Sequence, residues 1–111
     1  MDEDRVLPLA GLEWEDDVPG IRAKAADVLG QRWALVAYAE GARREEWCRD
    51  GHAGLVLAGA VEYEFEDGGE TLTARAGDAF MLATGRGHRG RNLASGETRL
   101  FLIDEAEDAA G

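Results

Sequence analysis

The sequence predicts an all-β domain, a sandwich or barrel of short strands. Three observations carry that expectation. Strand-like apolar runs recur about every ten residues between turn residues, as all-β folds require. The 15 glycines supply the turns between them. Apolar residues nowhere repeat at helical spacing over a stretch long enough to anchor a helical fold.

Residues 21–25 follow Pro19-Gly20 as a candidate first strand, although their alanines would also suit a helix. Residues 32–38 form a stronger strand that closes near Gly41, and residues 45–48 form a short extended piece. Residues 52–58 follow, with His52, Gly54, Val56 and Ala58 expected on one face. Residues 61–66 alternate apolar and acidic side chains strictly, the signature of a strand with one buried and one wet face. Asp67-Gly68-Gly69 turns the chain, and residues 71–74 return alongside. Residues 79–82, 88–92 and 98–103 complete the set, giving about eight or nine strands.

At 111 residues the chain has one domain's worth of core. Acidic residues crowd the ends, with seven in residues 1–17 and four in residues 104–108. This divides the chain into an acidic N-terminal segment (1–17), a β domain (18–103) and an acidic C-terminal tail (104–111). The net charge of −11 argues against nucleic acid and anionic membrane as partners. No apolar run approaches the roughly 18 residues of a membrane span. The start of the chain is acidic where a secretory signal is basic, so a cytoplasmic location is expected. The lone Cys48 excludes an intrachain disulfide.

Four residues could carry chemistry. Glu46 and Cys48 are two apart, so in a strand they share a face, and His52 starts the next strand. His88 could join them from a distant strand. Carboxylate, thiolate and imidazole together suit a divalent transition metal (zinc, iron, nickel or copper) over magnesium or calcium. By spacing alone, two histidines 36 positions apart are not diagnostic of a metal site.

A resemblance adds to this. Gly77, Gly85, His88 and Asn92 fall in the register of the second cupin motif, G-x5-P-x-G-x2-H-x3-N, with Ala83 in place of proline. Gly41 and Gly59 bracket an altered first motif, in which His52 stands at the glutamate position and Glu46 and Cys48 stand at the histidine positions. The chain therefore resembles the small single-domain cupins from about Gly20 to Ile103. The resemblance implies a small jelly-roll β-barrel and a metal held by Glu46, Cys48, His52 and His88, with His88 the firmest match and Glu46 the weakest. Asn92 is expected to bond backbone rather than metal.

Six arginines, Arg43, Arg44, Arg49, Arg86, Arg89 and Arg91, flank the two motifs. If they ring the pocket mouth, they draw an anionic small molecule; otherwise they are solvated charges paired with nearby acids such as Glu45, Glu46 and Asp50. The aromatic side chains are expected mostly in the core. A homodimer is expected, because small barrels leave sheet edges to be covered. The expected function is a metal-binding cupin with a small-molecule ligand. The alternatives are a metal-dependent enzyme of dioxygenase or isomerase type, which would turn substrate over, and a metal-free ligand-binding or sensor protein, which would show affinity without turnover.

Overall fold

The computed structural model describes residues 3–105. After a single 3-10 turn at Leu9–Gly11 the described residues form nine antiparallel strands: β1 Glu15–Val18, β2 Ile21–Val28, β3 Gln31–Tyr38, β4 His52–Ala58, β5 Ala60–Phe65, β6 Leu72–Arg75, β7 Ala79–Leu82, β8 His88–Asn92 and β9 Thr98–Asp104. They form a six-stranded sheet ordered β1-β2-β3-β9-β4-β7 and a three-stranded sheet ordered β6-β5-β8. Two such sheets sharing one core make the jelly-roll arrangement. Among the described residues no helix is long and apolar enough to cross a membrane.

The core lies between the sheets. Ile21, Val36, Val56 and Leu100 come from the larger sheet, and Val61, Tyr63, Phe65 and Ala74 from the smaller. The alternation in β5 appears as expected, with Val61, Tyr63 and Phe65 buried while Glu64 is exposed. Its outer carboxylates meet arginines: Glu62 and Glu64 lie opposite Arg91 and Arg89 in register and pair with them. Arg49 pairs with Glu66 and Arg86 with Asp67, so this acidic face is neutralised along its length.

The sheet takes in residues from the acidic ends. Glu15, Asp16 and Asp17 of the N-terminal acidic segment join Val18 in the edge strand β1, with all four residues exposed. Asp104 closes β9. The acidic tail lies outside the described residues from 106 onward. The β2–β3 hairpin runs further than its sequence suggests, because β2 continues to Val28 and turns through Leu29 and Gly30. Both turn residues have positive φ (53° and 77°), the geometry of the two-residue turns that favour Asn-Gly, so the leucine hides the turn from sequence inspection.

Three further expectations are corrected. Residues 45–48 are not a strand: only isolated bridges, Arg43 to Arg91 and Cys48 to His88, tie this stretch to β8. Ala58 leaves the face of His52, Gly54 and Val56, because the pairing of β4 with β9 shifts register between Val56 and Ala58. Of the eight aromatic residues only Tyr38, Tyr63, Phe65 and Phe80 are buried in the core. Trp14 lies under Arg22 and Lys24, Trp47 lies under Arg89, and Trp33 packs edge-on against Phe101.

Candidate metal centre

Three of the four candidate residues converge. Ligand atoms of Cys48, His52 and His88 all lie within 4.8 Å of one another. Each is delivered by a different device. His52 opens β4 on the inner face of the larger sheet, directly opposite Asp104 of β9. His88 opens β8 on the smaller sheet and is 3% exposed. Cys48 is held against His88 by a pair of backbone bonds, amide to carbonyl in both directions at 2.8 and 2.9 Å. Sulfur and both rings thus enter the space between the sheets.

Glu46 does not join them. From Arg43 to Cys48 the chain takes five steps, while β8 takes three from Arg91 to His88. The two extra residues are absorbed at a bend on Glu46, which breaks the alternation that would have put it on the face of Cys48. Glu46 is exposed and stands outside the cluster.

Asp104 is the residue that sequence inspection missed. Its Oδ1 lies 2.7 Å from His52 Nδ1, while His52 Nε2 faces Cys48 Sγ at 3.6 Å. An imidazole held through Nδ1 by a carboxylate presents Nε2 to an ion, and this outer partner fixes the ring's tautomer and direction. In the sequence Asp104 reads as the start of an acidic tail; only the pairing of β4 with β9 brings it to His52.

The electrostatics follow from these contacts. Hydrogen bonding from His52, then from His88, brings the Cys48 thiol down to about 6, against the opposing effect of burial. Burial is the largest influence on His52 and pushes it down, but the hydrogen bonds to Asp104 and Cys48 and their charges together outweigh it and raise it to about 9. Between those values the pair is thiolate and imidazolium. His88 Nδ1 is buried with no hydrogen-bond partner among the described residues, a state that costs about 1–3 kcal/mol for a polar group.

The donor set fits a transition metal. One thiolate and two imidazoles are borderline-soft ligands of the kind that hold zinc, iron, nickel or copper, and three protein ligands leave coordination positions open. Asp104→Asn is expected to weaken the retention of added zinc about 10–100-fold by freeing the His52 ring, with little change in fold. A competition titration with a chromophoric chelator measures it; unchanged affinity would remove Asp104 from the site.

The cluster opens into a cavity of about 1090 Å³ that also touches Asp17, Tyr38, Arg44 and Tyr63. Its rim is mixed in charge, with Glu13, Glu15 and Asp16 against Lys24, Arg43 and Arg49. Each of the six arginines flanking the motifs makes an ion pair, with Glu45, Asp17, Glu66, Asp67, Glu64 and Glu62 in chain order, so neither Glu46 nor Asp50 is a partner. Asn92 makes only hydrogen bonds to backbone and to Thr98, as its motif position implied.

Comparison with known proteins identifies the family and the fold. Residues 34–104 match the family described as the cupin domain. No curated protein matches the sequence. Among solved structures, KdgF from Halomonas sp. superimposes with a TM-score of 0.73 at 25% identity, covering 98% of this chain and 100% of that one. An RmlC-like cupin from Shewanella frigidimarina NCIMB 400 gives 0.72 at 16% identity, with 98% and 97% covered. The cupin domain of Schizosaccharomyces pombe Cnp3 gives 0.71 at 12% identity, with 89% and 67% covered.

Proposed function

The chain belongs to the cupin domain family, and from that premise we propose that it holds one divalent transition metal at Cys48, His52 and His88 and binds a small oxygen-donor ligand in the adjoining cavity. The observation that carries this reading is the convergence of a thiol and two imidazoles within 4.8 Å, one imidazole being oriented by Asp104. A coincidental grouping of core residues would not need that carboxylate. When bound, the ion supplies Lewis acidity toward a ligand oxygen.

The chain's own residues do the rest. Asp104 accepts from His52 Nδ1 and keeps Nε2 available. The Cys48 thiolate supplies the negative charge that a divalent ion needs. The paired backbones of Cys48 and His88 hold sulfur and ring at a fixed separation. Tyr63 packs edge-on to the His88 ring at 5.8 Å, and the His52 and His88 rings meet edge-on at 5.0 Å.

This reading fixes how affinity depends on pH. Loading must expel the proton that His52 holds up to about 9 and, below about 6, the Cys48 proton as well. Apparent zinc affinity should therefore rise about tenfold per pH unit between these values and more steeply below them, because each expelled proton contributes one power of ten per unit. A flat profile from pH 6 to 9 would mean that His52 is not a ligand.

Elemental analysis of the purified protein tests the proposal. Close to one equivalent of zinc, iron, nickel or copper is expected, and none after metal-supplemented expression would refute it.

A further inference from the structure

The loop that delivers Cys48 also delivers Arg44. The Arg44 amide donates to Gly90 O at 2.9 Å, and the Cys48 amide donates to His88 O at 2.8 Å. Gly90 and His88 are two residues apart on β8, so the loop backbone is tied to that strand at two points about 7 Å apart. Arg44 lines the cavity with its side chain only 28% exposed, whereas Arg43 and Arg49 stay 67% and 58% exposed at the rim. Its Nε donates to the Tyr38 hydroxyl at 3.3 Å, and its Nη2 lies 2.8 Å from Asp17 Oδ2. Among the described residues Nη1 makes no hydrogen bond.

Tyr63 faces the same space. It is 3% exposed, lines the cavity, and its hydroxyl makes no hydrogen bond among the described residues. Glycine at position 90 admits both phenols: a Cβ there would stand 2.8 Å from Tyr63 Cε1 and 3.1 Å from the Tyr38 hydroxyl. The result is a pocket end built from a half-buried guanidinium and two buried tyrosines, set against the Cys48, His52 and His88 cluster.

Resting on the metal-centre reading above, we propose that Arg44, Tyr38 and Tyr63 form a carboxylate subsite and that the ligand is a short oxyacid, its carboxylate on Arg44 and an oxygen at its other end toward the cluster. A guanidinium fork matches a carboxylate with two parallel N–H donors, and a half-buried one is little screened by salt. A neutral ligand offers this end much less. Asp17 is the counter-ion of Arg44, so an arriving carboxylate competes with it.

Calorimetry on the zinc-loaded full chain, with malonate and its neutral diamide as probes, tests the proposal. Malonate should bind at least about tenfold more tightly than the diamide. Arg44→Gln should weaken malonate about 10–100-fold, and Arg44→Lys should recover only part of the loss. Asp17→Asn should move the other way and tighten malonate, which an arginine serving only as a structural strut would not produce. Zinc content unchanged in these variants locates the loss in the subsite. Equal malonate affinity in wild type and zinc-retaining Arg44→Gln overturns the proposal, as does failure of malonate to bind the wild type. Should Arg44→Gln fail to fold, Arg44→Lys and Asp17→Asn decide it. If the protein takes up no metal, the metal reading falls, while Arg44-dependent malonate binding by the metal-free chain still upholds the subsite.

Discussion

Replacing His88 with alanine is expected to abolish metal retention. His88 is one of three ligands in the proposed set; its backbone is paired with that of Cys48, and its ring packs against the edge of Tyr63 and the His52 ring. No neighbouring donor replaces it, because the exposed Glu46 stands apart at its bend. Affinity for zinc should fall by more than about a hundredfold, beyond what an outer partner such as Asp104 contributes. Metal-free stability should fall, because truncating a ring that is 3% exposed leaves a cavity, a loss offset in part by removing an Nδ1 that has no hydrogen-bond partner among the described residues. Glu46→Ala is the matched control and should retain zinc like the wild type. Chelator competition on the two variants checks both, and equal retention would undo the ligand assignment.

The largest expected loss of stability is at Asn92. Its Nδ2 donates to the carbonyls of Tyr38, Ala39 and Gly96 at 3.1, 2.9 and 2.7 Å, and its Oδ1 accepts from the Ala94 amide at 2.8 Å and the Thr98 hydroxyl at 2.6 Å. One buried side chain thus ties the end of β3 to the turn between β8 and β9. Asn92→Ala leaves several of these groups without partners, and each unsatisfied buried group costs about 1–3 kcal/mol, so a loss of about 3–5 kcal/mol is expected. Asn92→Asp should be nearly as damaging, because a carboxylate can accept from Ala94 and Thr98 but repels the three carbonyls. Urea unfolding of the metal-free variants measures this; a loss under about 1 kcal/mol would show that the network relaxes onto water.

Much of the fold could be read from local pattern. The strict alternation of residues 61–66 and the short runs at 79–82 and 88–92 correspond closely to β5, β7 and β8. His88 was legible because its motif fixes both its place at the start of a strand and the glycine turn before it. The features that escaped notice depend on tertiary context. β1 is acidic, exposed at every position and without alternation, so only its pairing with β2 makes it a strand. The β2–β3 turn carries Leu29 where a hairpin signal would have asparagine. Glu46 was misplaced because period-two reasoning assumes regular pairing, and the two-residue excess opposite β8 breaks it. Asp104 was invisible because its role exists only across the β4–β9 pair, 52 positions from its histidine in sequence.

The arginines show the same division. Their clustering around the motifs is plain in the sequence, but their roles are not. Arg86, Arg89 and Arg91 balance the acidic outer face of β5 and its turn, while Arg44 alone is drawn inward by Tyr38 and Asp17. The side chains of the five other motif arginines make ion pairs and are in most cases more than half exposed, whereas Arg44 is the least exposed of the basic side chains paired beside the cavity.

X-ray absorption spectroscopy on the zinc-loaded protein addresses the central claim most directly, because sulfur and nitrogen scatterers separate by distance. One sulfur at about 2.3 Å with nitrogen or oxygen neighbours at about 2.0–2.1 Å is the predicted first shell. The sulfur should disappear in Cys48→Ser. A shell of oxygen and nitrogen alone in the wild-type protein would contradict the assignment of Cys48 and, with it, the site as described.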